Sequence, residues 1–205
     1  MRSWYAIDSR LRSSGATGYE RSRFPDDMVR VLLHRFARRG DVLLDPFAGT
    51  GTTLRVASQY GLTGLGFEPD PELYDVCQRE CPPGTLIIND IAQRLCDYAI
   101  PECDLILTSP PFSPSGLQDG DGRDYFETIH TVFTLAKGRL RKDAMVLVEG
   151  VNVRSEEGVA DPLAFNLNVV LSTIFTFQGE IVFCDTSPTA NLFGFQHSHM
   201  LIYKN

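Results

Sequence analysis

An α/β fold is predicted, with a mostly parallel sheet whose last strand is reversed and helices on both faces. Three observations carry it. From Asp41 onward, short apolar runs alternate with stretches of helical period, the pattern left by helical crossovers between parallel strands. Only residues 185–198, rich in Ser, Pro, Thr, Asn and Gly, separate the last two runs, so these are expected to be joined by a loop and to pair antiparallel. The chain has 205 residues, a size that buries roughly 70% of its unfolded surface and sustains one α/β core without staples.

Taken in order, residues 1–40 are expected to be a loop followed by one helix at 25–38, opened by Pro25 and stopped by Gly40. Apolar runs place strands at 42–44, 63–67, 85–88, 104–108, 144–149, 179–184 and 199–203. Helices fill the intervals at 51–59, 71–80, 91–98, 125–140 and 162–175. That makes seven strands, the last reversed, in a single domain: an arginine-rich front at 1–40 packing on a body at 41–205.

Composition excludes several classes of protein. With 43% hydrophobic and 22% charged residues, long disorder, collagen and coiled coil do not fit. No apolar run approaches the roughly 18 residues of a membrane helix, and the opening MRSWYAIDSRLRSSG lacks the apolar stretch of a signal peptide, so a cytoplasmic protein without a membrane partner is expected. Five cysteines, odd in number and without a CxxC pair, argue against a disulfide framework or metal knuckle and fit a reducing compartment. The four histidines make no metal spacing, and Asp119, Asp121 and Asp124 lack the closing Glu of a calcium loop, so no metal is expected. The net charge of −7 is unevenly placed. Residues 1–40 hold nine arginines against four acidic residues, whereas the remainder holds ten basic and 22 acidic ones. Arg10, Arg12, Arg21 and Arg23 are thereby candidates for phosphate contacts, although solvated arginines are an equal reading.

The first motif, VLLDPFAGTGTT at 42–53, runs from a strand through Gly49 and Gly51 into a helix. Glycine permits positive φ and close backbone approach, and the helix start offers free N–H groups, a geometry suited to a nucleotide. A tight structural turn is the alternative, and the absence of GK[ST] disfavours a triphosphate. Glu68 follows the next strand, about 20 positions on, where a carboxylate can accept both hydroxyls of a ribose. With Asp45 and Asp90, three successive strands end in acids.

The second motif is TSPPF at 108–112. Two prolines fix two φ angles and remove two N–H donors, so the turn presents carbonyl oxygens in a rigid array that can accept the hydrogens of an amino group. The aromatic after it can stack on a base.

DPFAGTGTT at 45–53 together with TSPPF at 108–112 resembles the S-adenosylmethionine-dependent DNA amino-methyltransferases, the N4-cytosine and N6-adenine methylases with a [DNS]PP[YF] turn. RSRFPDDM at 21–28 and HSHMLIYKN at 197–205 resemble further segments of that family. The resemblance implies a Rossmann-like seven-stranded sheet with S-adenosylmethionine as cofactor. It assigns cofactor contacts to Phe24, Asp45, Pro46, Phe47, Gly49, Gly51, Thr52, Glu68, Asp90 and Thr108. Asp45 would face the methionine ammonium, Glu68 the ribose and Asp90 the adenine amino group, with Phe24 lining the adenine pocket. Ser109, Pro110, Pro111 and Phe112 would form the catalytic turn, with Ser109 and the Pro110 carbonyl accepting from the target amino group and Phe112 stacking on the target ring.

The serine variant of the turn leans toward N4 of cytosine in DNA. N6-adenine methylation, methylation of an RNA base amino group and a cofactor-binding subunit needing a partner are the alternatives. The family's usual target-recognition region has no counterpart beyond residues 113–124, so a second copy or a separate chain could supply recognition. No cysteine follows a proline, which removes the nucleophile a C5-cytosine enzyme needs.

Overall fold

A computed structural model describes residues 3–7, 24–111, 125–154, 160–185 and 197–205. The elements run β1 (Trp4–Ile7), α1 (Asp26–Phe36), β2 (Val42–Asp45), α2 (Thr52–Gln59), β3 (Thr63–Phe67), α3 (Pro71–Glu80), β4 (Leu86–Ile88), a 3₁₀ helix (Ala92–Asp97), β5 (Cys103–Thr108) and α4 (Tyr125–Lys137). They continue with β6 (Leu140–Gly150), β7 (Val153–Arg154), β8 (Ala160–Asp161), α5 (Leu163–Leu171), β9 (Thr176–Asp185) and β10 (His197–Lys204). The main sheet has the order β1-β9-β10-β6-β5-β2-β3-β4. Its β6-β5-β2-β3-β4 portion is parallel, and β10 is antiparallel to both neighbours, as expected for the last strand.

All seven expected strands are present, and an eighth corrects the reading of the front as a plain loop. β1 pairs in parallel with β9, Trp4 opposite Val182 through Ile7 opposite Asp185. Tyr5 stacks on Phe183 with centroids 5.6 Å apart. Four residues that are alternately exposed and half-buried offer too few periods for a strand to be read from pattern. Three other expectations shift. The segment expected as a helix at 91–98 is a 3₁₀ helix, short enough for that tighter winding. α4 stops at Lys137 before Gly138, so Leu140 begins β6 instead of ending a helix. β7 and β8, two residues each, form a separate two-stranded ribbon.

Both faces of the central strands are covered, so β2, β5 and the second half of β6 are buried in nearly every position. Leu43, Leu105, Leu107 and Leu147 point into one cluster with Met28, Val29, Leu32 and Leu33 of α1 and Leu54 and Val56 of α2. Leu44, Ile106, Val146 and Val148, their alternates, point into the other, with Ile129, Val132 and Phe133 of α4 and Leu163 and Leu167 of α5. Between α1 and α2, the guanidinium of Arg55 donates both Nη atoms to Asp26, at 3.0 and 2.7 Å, with both side chains mostly buried.

This topology gathers the polar ends at one edge. Asp45 closes β2, Glu68 follows β3, Asp90 follows β4 and Ser109 follows β5. Because β10 is reversed, its start joins the same edge, with His199 opposite Gly150 at the end of β6.

Candidate active site

β2 leads directly into the glycine turn. Ala48 N–H donates to the Phe67 carbonyl at 2.9 Å, and Gly51 N–H donates to the Ala48 carbonyl at 2.8 Å, so the turn is tied to β3 and closed on itself. Gly49 has φ 53° and Gly51, the N-cap of α2, has φ 82°, both in the left-handed region that favours glycine. Their surroundings differ. A Cβ on Gly49 would meet nothing within 4 Å, whereas one on Gly51 would collide with the sulfurs of Cys77 and Cys81. Gly49 therefore faces open space, and Gly51 is also required by the packing of α3 beneath it.

Asp45 is only 2% exposed. Its Oδ1 accepts from Thr108 Oγ1 at 2.6 Å and from Phe47 N–H at 3.1 Å, and its carboxyl also takes a hydrogen bond from the Thr53 side chain. Burial outweighs these donors and pushes its pKa up to about 6. Glu68 accepts from Gly49 N–H through Oε2 at 2.8 Å and from Asp70 N–H through Oε1 at 2.9 Å. Its carboxyl is also raised, chiefly by burial. Each Glu68 oxygen retains a lone pair for a further donor.

Asp90 is gripped on both oxygens, by Ile91 N–H at 2.8 Å and by the Tyr98 hydroxyl at 2.6 Å, with Arg94 at 2.9 Å. The Tyr98 hydroxyl is the main cause holding its carboxyl below the usual range. Of the remaining cofactor candidates, Phe24 is buried before α1 among the α1–α2 apolar residues. Pro46 is buried, Phe47 tilts against Phe133 at 6.5 Å, and Thr52 opens α2 at 4% exposure.

β5 ends in fully buried Thr108 beside Asp45, which joins the two motifs by a hydrogen bond spanning 63 positions. Ser109 and Pro111 are half-buried and Pro110 is buried. The Pro111 carbonyl accepts from the Tyr125 hydroxyl at 2.9 Å, which ties the turn to the start of α4. Phe112 lies outside the described residues, as do Arg10, Arg12, Arg21 and Arg23.

Three contributors escape a reading by motif. Asp26 and Arg55 clamp α1 to α2, and the only sequence signal was Asp26 within the FPDD segment. Tyr125 is signalled only by opening the helix after the SPP turn. His199, one of the four histidines without metal spacing, has Nδ1 within 2.9 Å of Glu180 Oε2, while its buried Nε2 has no hydrogen-bond partner.

The edge offers acceptors: three carboxylates over successive strand ends and an open face at Gly49. Such a set fits a ligand bearing an ammonium, ribose hydroxyls and an aromatic amino group, as S-adenosylmethionine does. Among the described residues no group of three or more His, Cys, Asp or Glu is placed to hold a metal ion. No helix among them is long and apolar enough to cross a membrane.

Comparison with known proteins agrees. A sequence family described as DNA methylase matches residues 3–79. The type II methyltransferase M.MjaI of Methanocaldococcus jannaschii is 37% identical over 57 residues, 28% of this chain and 19% of that protein. M.HindIII of Haemophilus influenzae is 30% identical over 59 residues, 29% and 19% of the two chains. The matches thus span about a fifth of the length of these curated relatives. Among solved structures, TrmN from Thermus thermophilus superposes with TM-score 0.67 at 17% identity, covering 89% of this chain and 49% of that one. A putative rRNA-methylase from Clostridium thermocellum gives 0.62 at 14% identity, covering 87% and 96%. The DNA methylase match at the front and the two motifs at one sheet edge agree on a resemblance to the S-adenosylmethionine-dependent DNA amino-methyltransferases, carried on a fold shared with those solved structures.

Proposed function

We propose that this chain transfers a methyl group from S-adenosylmethionine to an exocyclic amino nitrogen of a nucleobase, with N4 of cytosine in DNA as the favoured target. The observation that carries the reading is the hydrogen bond from Thr108 to Asp45, which locks the SPP turn beside the acidic edge at the glycine turn. A base amino group held at Ser109 and Pro110 would therefore lie next to a ligand held at Asp45, Gly49 and Glu68.

When bound, S-adenosylmethionine supplies an electrophilic methyl on a sulfonium with a good leaving group, so the chain's task is positioning. Asp45, mostly ionised at neutral pH with its pKa near 6, is suited to a cationic amine. Glu68, anchored by two N–H groups, offers its free lone pairs to a pair of hydroxyls. At the other motif, the Ser109 hydroxyl and Pro110 carbonyl accept from the target's amino hydrogens and draw its delocalised lone pair toward a tetrahedral, localised form. Tyr125 holds the Pro111 carbonyl and thereby the orientation of the turn. Phe112 is proposed to stack on the target ring, partly offsetting the few kcal/mol of extruding a base from a duplex.

The test is transfer of tritium from labelled cofactor to DNA and, side by side, to structured RNA, followed by mass spectrometry of the modified nucleosides. Wild-type chain is expected to produce N4-methylcytosine, and Ser109→Ala to lose about 100-fold in rate while keeping cofactor affinity. Unchanged transfer in Ser109→Ala would remove the SPP turn from the mechanism.

A further inference from the structure

Beneath the glycine turn lies a pair of thiols that the methyl-transfer reading does not use. Cys77 is in the last turns of α3 and Cys81 is its C-cap, and their sulfurs are 3.6 Å apart. Cys77 is fully buried. Cys81 is half-buried at a surface depression that it lines with Gln78, Pro82, Pro83, Thr85 and Ile87. Both sulfurs press on one residue: a Cβ on Gly51 would collide with each, and Cys81 Sγ lies 3.5 Å from the Gly51 carbonyl oxygen. The pair is thus open to solvent on one side and in contact with the N-cap of α2 on the other.

We propose that Cys77 and Cys81 are a dithiol modification site, closed to an internal disulfide by low-molecular-weight disulfides such as oxidised glutathione, and that closure weakens cofactor binding through Gly51. The second half rests on the proposed function; the first does not. Cys81, the accessible sulfur, attacks as thiolate on one sulfur of the small disulfide, forming a mixed disulfide and releasing one small thiolate. Cys77 then loses its proton to solvent and attacks Cys81 Sγ, so the 77–81 bond forms and the second small thiolate leaves. The protein gives up two electrons and two protons, and the small disulfide is reduced to two thiols. Their order follows from the environment. Cys81 is half-buried at the surface depression, whereas Cys77 is fully buried beneath it.

The coupling is geometric. A disulfide is about 2.05 Å long, so the sulfurs must close by about 1.5 Å. Cys81 also loses the S–H hydrogen that can reach the Gly51 carbonyl. Gly51 sits at φ 82° with no room for one more carbon, so neither sulfur can move without altering the turn's support.

The test treats the full chain with mixtures of reduced and oxidised glutathione, quenches with acid, unfolds the chain in denaturant to alkylate every remaining thiol and locates the adducts by mass spectrometry. Of five cysteines, two are expected to escape alkylation, Cys77 and Cys81, in a chain two mass units lighter than the reduced form. By calorimetry the oxidised chain is expected to bind S-adenosylmethionine about 5-fold or more weakly, at the lower end of ordinary site-to-site coupling. Dithiothreitol is expected to restore it, Cys81→Ser to form no 77–81 bond and keep its affinity under oxidant, and Cys77→Ser to stop at a mixed disulfide on Cys81. Alkylation of both thiols under all mixtures, or a disulfide elsewhere, overturns the site; a 77–81 disulfide with unchanged affinity overturns the coupling. If the reduced chain binds no S-adenosylmethionine, the proposed function fails separately. The adduct map then still judges the dithiol, and amide exchange at residues 49–53, expected to change on oxidation, judges the coupling.

Discussion

Asp45 shows how a residue can be legible in identity and opaque in behaviour. Its position at a strand end before a glycine turn makes it a candidate ligand-facing acid, but its pKa near 6 arises from burial that no spacing reveals. The folded carboxyl retains a proton that the unfolded chain surrenders near its ordinary value of 3.8. Stability is therefore expected to fall as pH rises through this window, by up to about 3 kcal/mol, and to level off above it. Glu68 shifts in the same direction. Cofactor affinity should move oppositely, rising toward pH 7 as Asp45 becomes ionised. Asp45→Asn is expected to be about 1 to 3 kcal/mol more stable than wild type at pH 7 by urea unfolding, yet to bind S-adenosylmethionine at least about 10-fold more weakly with a flatter pH profile. The two glycines separate equally well. Gly49→Ala should cost only the left-handed backbone, about 1 to 2 kcal/mol, and lose cofactor binding because its methyl enters the open side. Gly51→Ala adds a clash with Cys77 and should be the less stable variant in the same urea titration. The motif marks both glycines; which one faces open space it does not reveal, because the sulfurs that decide it come from α3 and its C-cap.

At the level of elements, the strands that carry the acids were readable because a parallel sheet covered on both faces writes itself as apolar runs. The locks between elements were not, because they join residues distant in sequence. Asp26 and Arg55 are 29 positions apart, and Thr108 and Asp45 are 63 apart. Breaking the first lock from one side should be costly, since the mostly buried Asp26 is left with only the longer 4.0 Å pair to Arg30. Arg55→Leu is expected to lose about 3 kcal/mol in denaturant unfolding, and Asp26→Leu with Arg55→Leu to recover much of it. A double variant as unstable as the single one would mean that Arg55 acts through something other than Asp26. The 3₁₀ helix offers a related lesson: the side chain of Asp90 receives Ile91 N–H and Tyr98 O–H, so the segment is shaped around the acid and winds more tightly than its apolar pattern suggests.

For the molecule as a whole, β1 is the feature that pattern alone did not reveal, and it binds the front of the chain to the far edge of the sheet. Removing residues 1–7 would strip the parallel partner from β9 and uncover the Phe183 ring on which Tyr5 stacks. The truncated chain is expected to lose about 1 to 3 kcal/mol and to self-associate at concentrations where the intact chain does not, as light scattering would register. The −7 charge also takes on a spatial sense: the strand ends that offer Asp45, Glu68 and Asp90 need no phosphate contact.

The place of β10 governs the order in which this molecule can be made. Among the described residues, β9 joins the main sheet as the neighbour of β10, and β1 joins it as the neighbour of β9. As the polypeptide leaves the ribosome, residues 4–7 emerge well before residues 197–204, yet their docking strand β9 becomes continuous with the parallel portion of the sheet through β10. β1 is therefore made far ahead of both its partner β9 and the strand β10 that joins β9 to the sheet. Such long-range pairing folds slowly, and a chain stalled before β10 would expose strand edges to its neighbours.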